Sequence, residues 1–415
     1  MPRAAIVAGL RTPFVRAGTE LAQLDLLELA RSVTSELLQR TNTDPATVEH
    51  LIYGNVSRPV QYSNLARELV LAAGLPKDTP ADTVSVACAS ACQAITDATN
   101  LIERGYADVV VAGGAEMLSN VPIGLSPPLA RALVSASQSR SMRQRVQSFA
   151  GLKPSDVLPV TPQIAETSTG MTMGQSAELM AKLNGISRAD QDAWALGSHQ
   201  KAAAAWQDGR LSQEVAPVYV VSDGGRAVTR DNHIRPDTSL EKLAQLKPVF
   251  DRHYGTVTAG NSSGLTDGAA SVLLMSDERA RALGYTPKAF VRSYAYAAVD
   301  PAGQLLIAPV YAIPKALARA GIAFHDIQLV EMHEAFAAQV LSTLRRLESD
   351  GVGCIDPDRI NPKGGSIALG HPFGATGARC VLTLANEMER TGAQLGLVSV
   401  CAAGGLGAAI VLERE

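Results

Sequence analysis

The chain has 415 residues, of which 46% are hydrophobic and only 4% aromatic, with 35 glycines. That length can bury a large core and predicts two or three structural units. A net charge of −3 excludes an electrostatic case for a nucleic-acid partner, and no apolar run approaches the roughly 18 residues needed to cross a bilayer.

In chain order, AAIVAGL (4–10) predicts a buried strand. It begins almost at once, and MPRAAIVAGLRTPF lacks the h-region and small-residue cleavage site expected of a secretory leader. Residues 26–56 read as a helix, a polar turn holding Asp44 and an apolar strand; residues 311–336 repeat that order, with Asp326 in the turn. Residues 83–114 read as strand, small-residue turn, helix and strand, and residues 360–405 follow a similar plan. The pattern predicts a loose duplication into two α/β halves whose small-residue turns come near one another. The expected boundaries are 1–117 with 251–275 for the N-terminal half, 118–250 for an inserted segment, and 276–415 for the C-terminal half. From Met117 through Ser155 that insertion has no Asp or Glu but contains Arg131, Arg140, Arg143, Arg145 and Lys153. A solvated face explains these charges as well as a basic surface for an anionic ligand, a membrane surface or a partner subunit does.

Five cysteines, odd in number and irregular in spacing, point to free thiols in a reducing, cytoplasmic compartment. Within VSVACASACQAI (84–95), Cys88 follows a strand and precedes a helix. A helix N-terminus favours thiolate, so a lowered pKa is expected for Cys88, whereas Cys92, one turn further in, reads as packing. The C-x3-C spacing lacks a matching Cys/His pair, so no metal is expected. Five glycines surround His371 in GGSIALGHPFGATGAR (364–379), implying a sharp turn and a close approach. Paired with Cys88, His371 is a candidate base. VSVCAAGGLGAAIVLE (398–413) ends a strand with Cys401 and continues into a glycine-rich turn whose N–H groups suit an oxyanion. MHEAFAAQ (332–339) places His333 and Glu334 just after an apolar strand.

Along essentially its whole length the chain resembles the thiolases, and within them the degradative 3-ketoacyl-CoA thiolases. HEAFA, with His333 where most thiolases carry Asn, is similar to the β subunits of fatty-acid oxidation multienzyme complexes. The resemblance implies a five-layer αβαβα thiolase fold with a loop domain over the active site. It implies Cys88 as acyl-accepting nucleophile, His371 as its activator, Cys401 as acid and base, and His333 as part of an oxyanion site. The backbone N–H groups of Cys88 and Ala403 would form a second oxyanion hole. Ala403 stands where the family has Gly, and would be strained if the position needs a positive φ. Arg235, Phe250, Ala259, Ser263 and Phe336 match coenzyme A positions, although Phe250 and Phe336 also read as core aromatics. Coenzyme A is implied as substrate, with no cofactor. The implied partners are a second copy in a homodimer or homotetramer and a hydratase/dehydrogenase α subunit. Rival readings are an acetoacetyl-CoA thiolase, a ketosynthase-type condensing enzyme, a cysteine hydrolase and a non-catalytic lipid-carrier or scaffold subunit.

Overall fold

Apolar runs bounded by capping residues and turns set the element order in a computed structural model that describes residues 2–160 and 165–415, leaving 161–164 of the insertion outside it. Strand β1 (Ala4–Arg11) is followed by the short β2 (Val15–Arg16). Helix α1 (Leu26–Arg40) starts at Asp25, whose side chain accepts from Leu27 N, while Glu28 reaches back in a capping box. A 3-10 turn capped by Asp44 leads into β3 (His50–Gly54); then come α2 (Leu65–Ala72), β4 (Ala81–Val84), α3 (Ser90–Glu103) and β5 (Val109–Glu116).

The insertion carries α4 (Pro127–Gln138), α5 (Met142–Gln147), α6 (Met173–Leu183), α7 (Arg188–Gln207), the hairpin β6 (Val218–Val220) and β7 (Arg226–Val228), and α8 (Leu240–Ala244). Its basic stretch becomes α4 and α5, where Arg131, Arg140, Arg143 and Arg145 are exposed beside exposed Val134, Met142 and Val146. Among the described residues, no helix is long and apolar enough to cross a membrane. Strand β8 (Thr266–Ser276) then returns to lie between β1 and β5, followed by α9 (Asp277–Ala282).

The second half runs β9 (Ala289–Ala298), α10 (Pro309–Ala320), a 3-10 turn holding Asp326, β10 (Leu329–Met332), α11 (Ala337–Ser349), α12 (Ser366–Leu369), α13 (Thr376–Thr391), β11 (Leu395–Ala402) and β12 (Leu406–Glu413). It repeats the first half with one omission. No strand precedes the second turn, where only a single bridge joins Ile360 to Val330. Asn361 at φ 48 and the N–H-less Pro362 end any ladder there.

The strands follow the order β10-β11-β12-β9-β1-β8-β5-β3-β4, with β2 off the path on β8. Among the described residues, the strands of the two halves pair at Ala5↔Phe290 and Ile6↔Ala289. Side-chain alternation sorts the core into layers. Val110 and Val272 face one core with α3, α13, Val398 and Ile410, so those two helices lie between the sheets of the two halves. Val111 and Leu273 face a second core under α1 and α2, while Leu397 and Val411 face a third under α10 and α11. The five-layer αβαβα expectation therefore corresponds to the observed packing.

Two contacts let the middle layer close. A Cβ on Gly114 would lie 1.9 Å from the Gly374 carbonyl oxygen, and one on Gly377 would lie 2.6 Å from both the nitrogen and sulfur of Cys92. The insertion is tied to both halves by buried charge. Arg11 donates to Asp231 at 2.7 and 2.8 Å and to Glu214 at 3.2 Å, while Lys363 reaches Glu214 at 3.1 Å.

Gly114→Ala is expected to destabilise the protein by at least about 1–3 kcal/mol, because backbone rather than a movable side chain blocks the new methyl. Gly197→Ala, inside α7 with nothing within 4 Å of the added methyl, should stabilise it by roughly 0.5–1 kcal/mol. Thermal unfolding followed by circular dichroism checks both signs.

Candidate active site

Cys88 sits on a tight turn between β4 and α3. The preceding Ala87 has φ 45, a left-handed conformation uncommon for a residue with a Cβ. Ser90 secures this turn: its hydroxyl accepts from Val86 N at 2.8 Å and donates to Ala87 O at 2.6 Å. Ala89 provides no side-chain cap, so the sulfur lies just before the uncapped N-terminus of α3.

From 283 residues away, His371 brings Nε2 to 3.1 Å from the Cys88 sulfur. Its Nδ1 lies 2.6 Å from the Thr376 hydroxyl, which donates its proton to Pro372 O at 3.0 Å. That hydroxyl is left to accept, so Nδ1 carries the ring proton and Nε2 presents a lone pair to the thiol. His333 lies against His371 with ring centroids 4.1 Å apart and planes tilted by 43°. It is fully buried, with Nδ1 2.8 Å from Ser366 Oγ and Nε2 without a partner. The Cys88 sulfur and one nitrogen of each imidazole all lie within 4.8 Å of one another, one donor short of the four that a structural zinc site needs.

Cys401, near the end of β11, is buried at 1% exposure, and a charge on Cys88 would push its thiol pKa up further. The N–H groups of Ala403 and of Cys88 itself are near enough to the Cys88 sulfur to favour its thiolate. Ala403 is absent from the positive-φ residues, and Gly404 (φ 80) and Gly405 (φ 71) make the left-handed turn instead. The feared strain does not arise. Gly404 N also donates to Glu166 at 2.9 Å.

The expected depression of the Cys88 pKa is corrected. Burial raises it to about 12, Glu116 adds to the rise, and the N–H groups of Ala403 and Cys88 pull it down by less. Desolvation by the protein packed around the sulfur outweighs the helix terminus, although Cys88 itself is half-buried rather than sealed off. His371 is lowered to about 3, by burial first and then by the Arg379 charge, and His333 falls well below its usual value, by burial, His371 and Arg379. The resting pair is therefore thiol and neutral imidazole.

The five coenzyme A candidates fall into two groups. Arg235, Ala259 and Ser263 line one cavity of about 710 Å³ with Arg16 and with Lys242, which pairs with Asp237 at 2.9 Å; the two arginines leave a net cationic setting suited to phosphate. Its wall leads directly to the thiol site, since Ser263 N donates to Ala335 O at 3.0 Å and His371 N to Gly264 O at 2.9 Å. Phe250 and Phe336 instead stack edge-to-face 6.0 Å apart within the apolar cluster under β11 and do not line that cavity. Cys92 is fully buried, and all five cysteines are free.

Two supporting residues, Glu116 and Thr376, escaped the sequence reading, and a third, Glu334, was singled out there without a role. Glu116, at the end of β5, accepts from Ser57 N at 2.8 Å, Val56 N at 3.2 Å and Gly374 N at 2.9 Å, joining the two halves around the thiol; burial raises its pKa to about 7. Glu334, beside His333, accepts from Trp194, Ser198, Asn361 and Ile367 N. Thr376 orients His371 from within the same glycine-rich motif. A carboxylate at a strand end and a hydroxyl five residues after a histidine were visible signals, but their partners are distant in sequence.

Residues 4–278 match the family described as "Thiolase, N-terminal domain", and residues 285–414 match "Thiolase, C-terminal domain". The chain is 49% identical to a 3-ketoacyl-CoA thiolase of Erwinia tasmaniensis, covering 100% of this chain and 97% of that protein. It is 48% identical to one from Pectobacterium carotovorum, covering 99% and 96%. Among solved structures, human mitochondrial 3-ketoacyl-CoA thiolase superposes with TM-score 0.89 at 34% identity, covering 100% and 99%. The acetyl-CoA acetyltransferase of Bacillus anthracis gives 0.87 at 33% over the same shares.

At pH 7, iodoacetamide is expected to alkylate Cys88 more slowly than the exposed Cys354. The Cys88 rate should climb about tenfold per pH unit from 7 to 9, because the raised pKa keeps the thiolate fraction small throughout that window. Peptide-level mass spectrometry reads both sites, and a Cys88 plateau below pH 7 would instead reveal a resting ion pair.

Proposed function

The chain belongs to the thiolase family, and from that premise we propose that it cleaves a 3-ketoacyl-CoA with coenzyme A, giving acetyl-CoA and a shortened acyl-CoA, in fatty-acid β-oxidation. The 3.1 Å contact between Cys88 and His371 carries this reading. The Cys88 proton moves to His371 Nε2 as the sulfur attacks the 3-keto carbon. The N–H groups of Cys88 and Ala403 receive the oxyanion, a contribution worth about 10² to 10³ in rate per donor. Collapse breaks the bond between C2 and C3 and expels the acetyl-CoA enolate, whose oxygen lies against His333 and His371 while Cys401 protonates C2. Coenzyme A then gives its proton to Cys401 and attacks acyl-Cys88, releasing the shortened acyl-CoA. The Cys88 thiol is regenerated with the proton held by His371.

The cationic cavity at Arg235 supports a phosphate-bearing substrate whose reactive end follows the 259–265 segment inward. Burial favours the chemistry, since donors in a dry site act on the enolate with little screening. An acetoacetyl-CoA thiolase is the second reading, favoured by the likeness to an acetyl-CoA acetyltransferase. Assembly into a homodimer or homotetramer belongs to the same proposal, and light scattering at micromolar concentration tests it.

Thiolysis of 3-ketoacyl-CoA substrates from short to long, followed by loss of the ketoacyl-CoA, tests the activity. Medium and long chains should be cleaved, Cys88→Ser should lose about 10³-fold or more, and Cys401→Ala should lose turnover while Cys88 still reacts with iodoacetamide. Cleavage of acetoacetyl-CoA alone would select the second reading, and no cleavage of any would overturn both.

A further inference from the structure

His333 is held by a chain of buried polar groups that the catalytic scheme leaves unused. Ser366 Oγ lies 2.8 Å from His333 Nδ1, and Arg379 donates to the same oxygen through Nη2 at 3.3 Å. Arg379 Nη1 in turn pairs with Glu331 at 2.6 Å. All four side chains are fully buried. A guanidinium can only donate, so the Ser366 oxygen accepts from Arg379. The hydroxyl proton then needs an acceptor, and His333 Nδ1 is the partner within reach. In the opposite tautomer both hydroxyl contacts would be donors to oxygen, leaving the serine proton buried and unpaired at a cost of about 1–3 kcal/mol.

We propose that Ser366, polarised by Arg379, is a positioning residue that fixes His333 as the Nε2–H tautomer, aiming an N–H donor at the substrate's thioester oxygen. The unpartnered Nε2 then has an assignment: its acceptor arrives with the substrate. His371 is set the opposite way by Thr376, so two imidazoles with centroids 4.1 Å apart carry different functions at equivalent atoms, one a base and the other a donor. Burial above all, with the Arg379 charge adding to it, holds both rings neutral, which keeps the His371 lone pair available and the His333 donor uncharged. A His333 ring of the other tautomer would face the developing enolate with a lone pair and repel it. The catalytic use of this donor rests on the thiolase reading above; the tautomer itself does not.

Neutron diffraction on deuterated crystals reads the ring directly. A deuteron on His333 Nε2, with the Ser366 deuteron directed at Nδ1, is expected; a deuteron on Nδ1 alone overturns the proposal whatever the enzyme's activity. For the catalytic role, Ser366→Ala should lower kcat about tenfold, the worth of one buried hydrogen bond, with KM within about twofold. Alkylation of Cys88 should be unchanged, because the Cys88–His371 pair is untouched. The same substitution in a His333→Ala background should cost nothing further. An equal loss in both backgrounds, or slowed alkylation, would assign Ser366 to packing. Absence of thiolysis by the unsubstituted enzyme would overturn the thiolase reading and leave the diffraction result standing.

Discussion

The approach of α3 to α13 is the constraint on which the rest depends. These helices come from separate halves and lie between both sheets, and at Gly377 the backbone of one meets Cys92 of the other where no Cβ fits. Gly114 and Gly374 make a similar contact just beside it. Each helix begins at a turn bearing a reactive group, so bringing their N-terminal ends together also brings Cys88 to His371. Packing of the apolar core and assembly of the reactive pair are therefore a single event.

Buried charge fixes what packing leaves adjustable. Glu116 spans from the first half to the Gly374 turn, and Glu334 spans from the His333 loop to α7 of the insertion. Arg11, Glu214, Asp231 and Lys363 join both halves to the insertion. Such pairs contribute little net stability after desolvation, yet losing one partner leaves the other charge buried and is severe. Their physical role here is geometric: they set where the cationic cavity stands relative to the thiol.

The same burial sets the electrical state of the site. Helix termini and N–H groups favour thiolate, but desolvation by the surrounding protein dominates at the half-buried sulfur and the buried imidazole, so Cys88 and His371 rest neutral. A neutral pair avoids storing a buried ion pair in the empty enzyme. Charge is created only when a substrate oxygen is present to receive it, which is where fixed N–H donors act most strongly.

The sequence by itself determined the periodic and local features. The duplicated order of elements, the strand ending at Cys401, the turns at Cys88 and His371, and the capped starts of helices follow from apolar spacing, glycines and caps acting over a few residues. It also placed the thiol and imidazole in corresponding turns, from which their meeting could be argued. Tertiary structure alone decided the hydroxyl partners of the two histidines, the raised Cys88 pKa, the partners of Glu116, Glu334 and Ser366, and the packing of Phe250 against Phe336. Burial and hydrogen bonding depend on groups tens to hundreds of residues away, and a local pattern carries no measure of the water that those groups exclude.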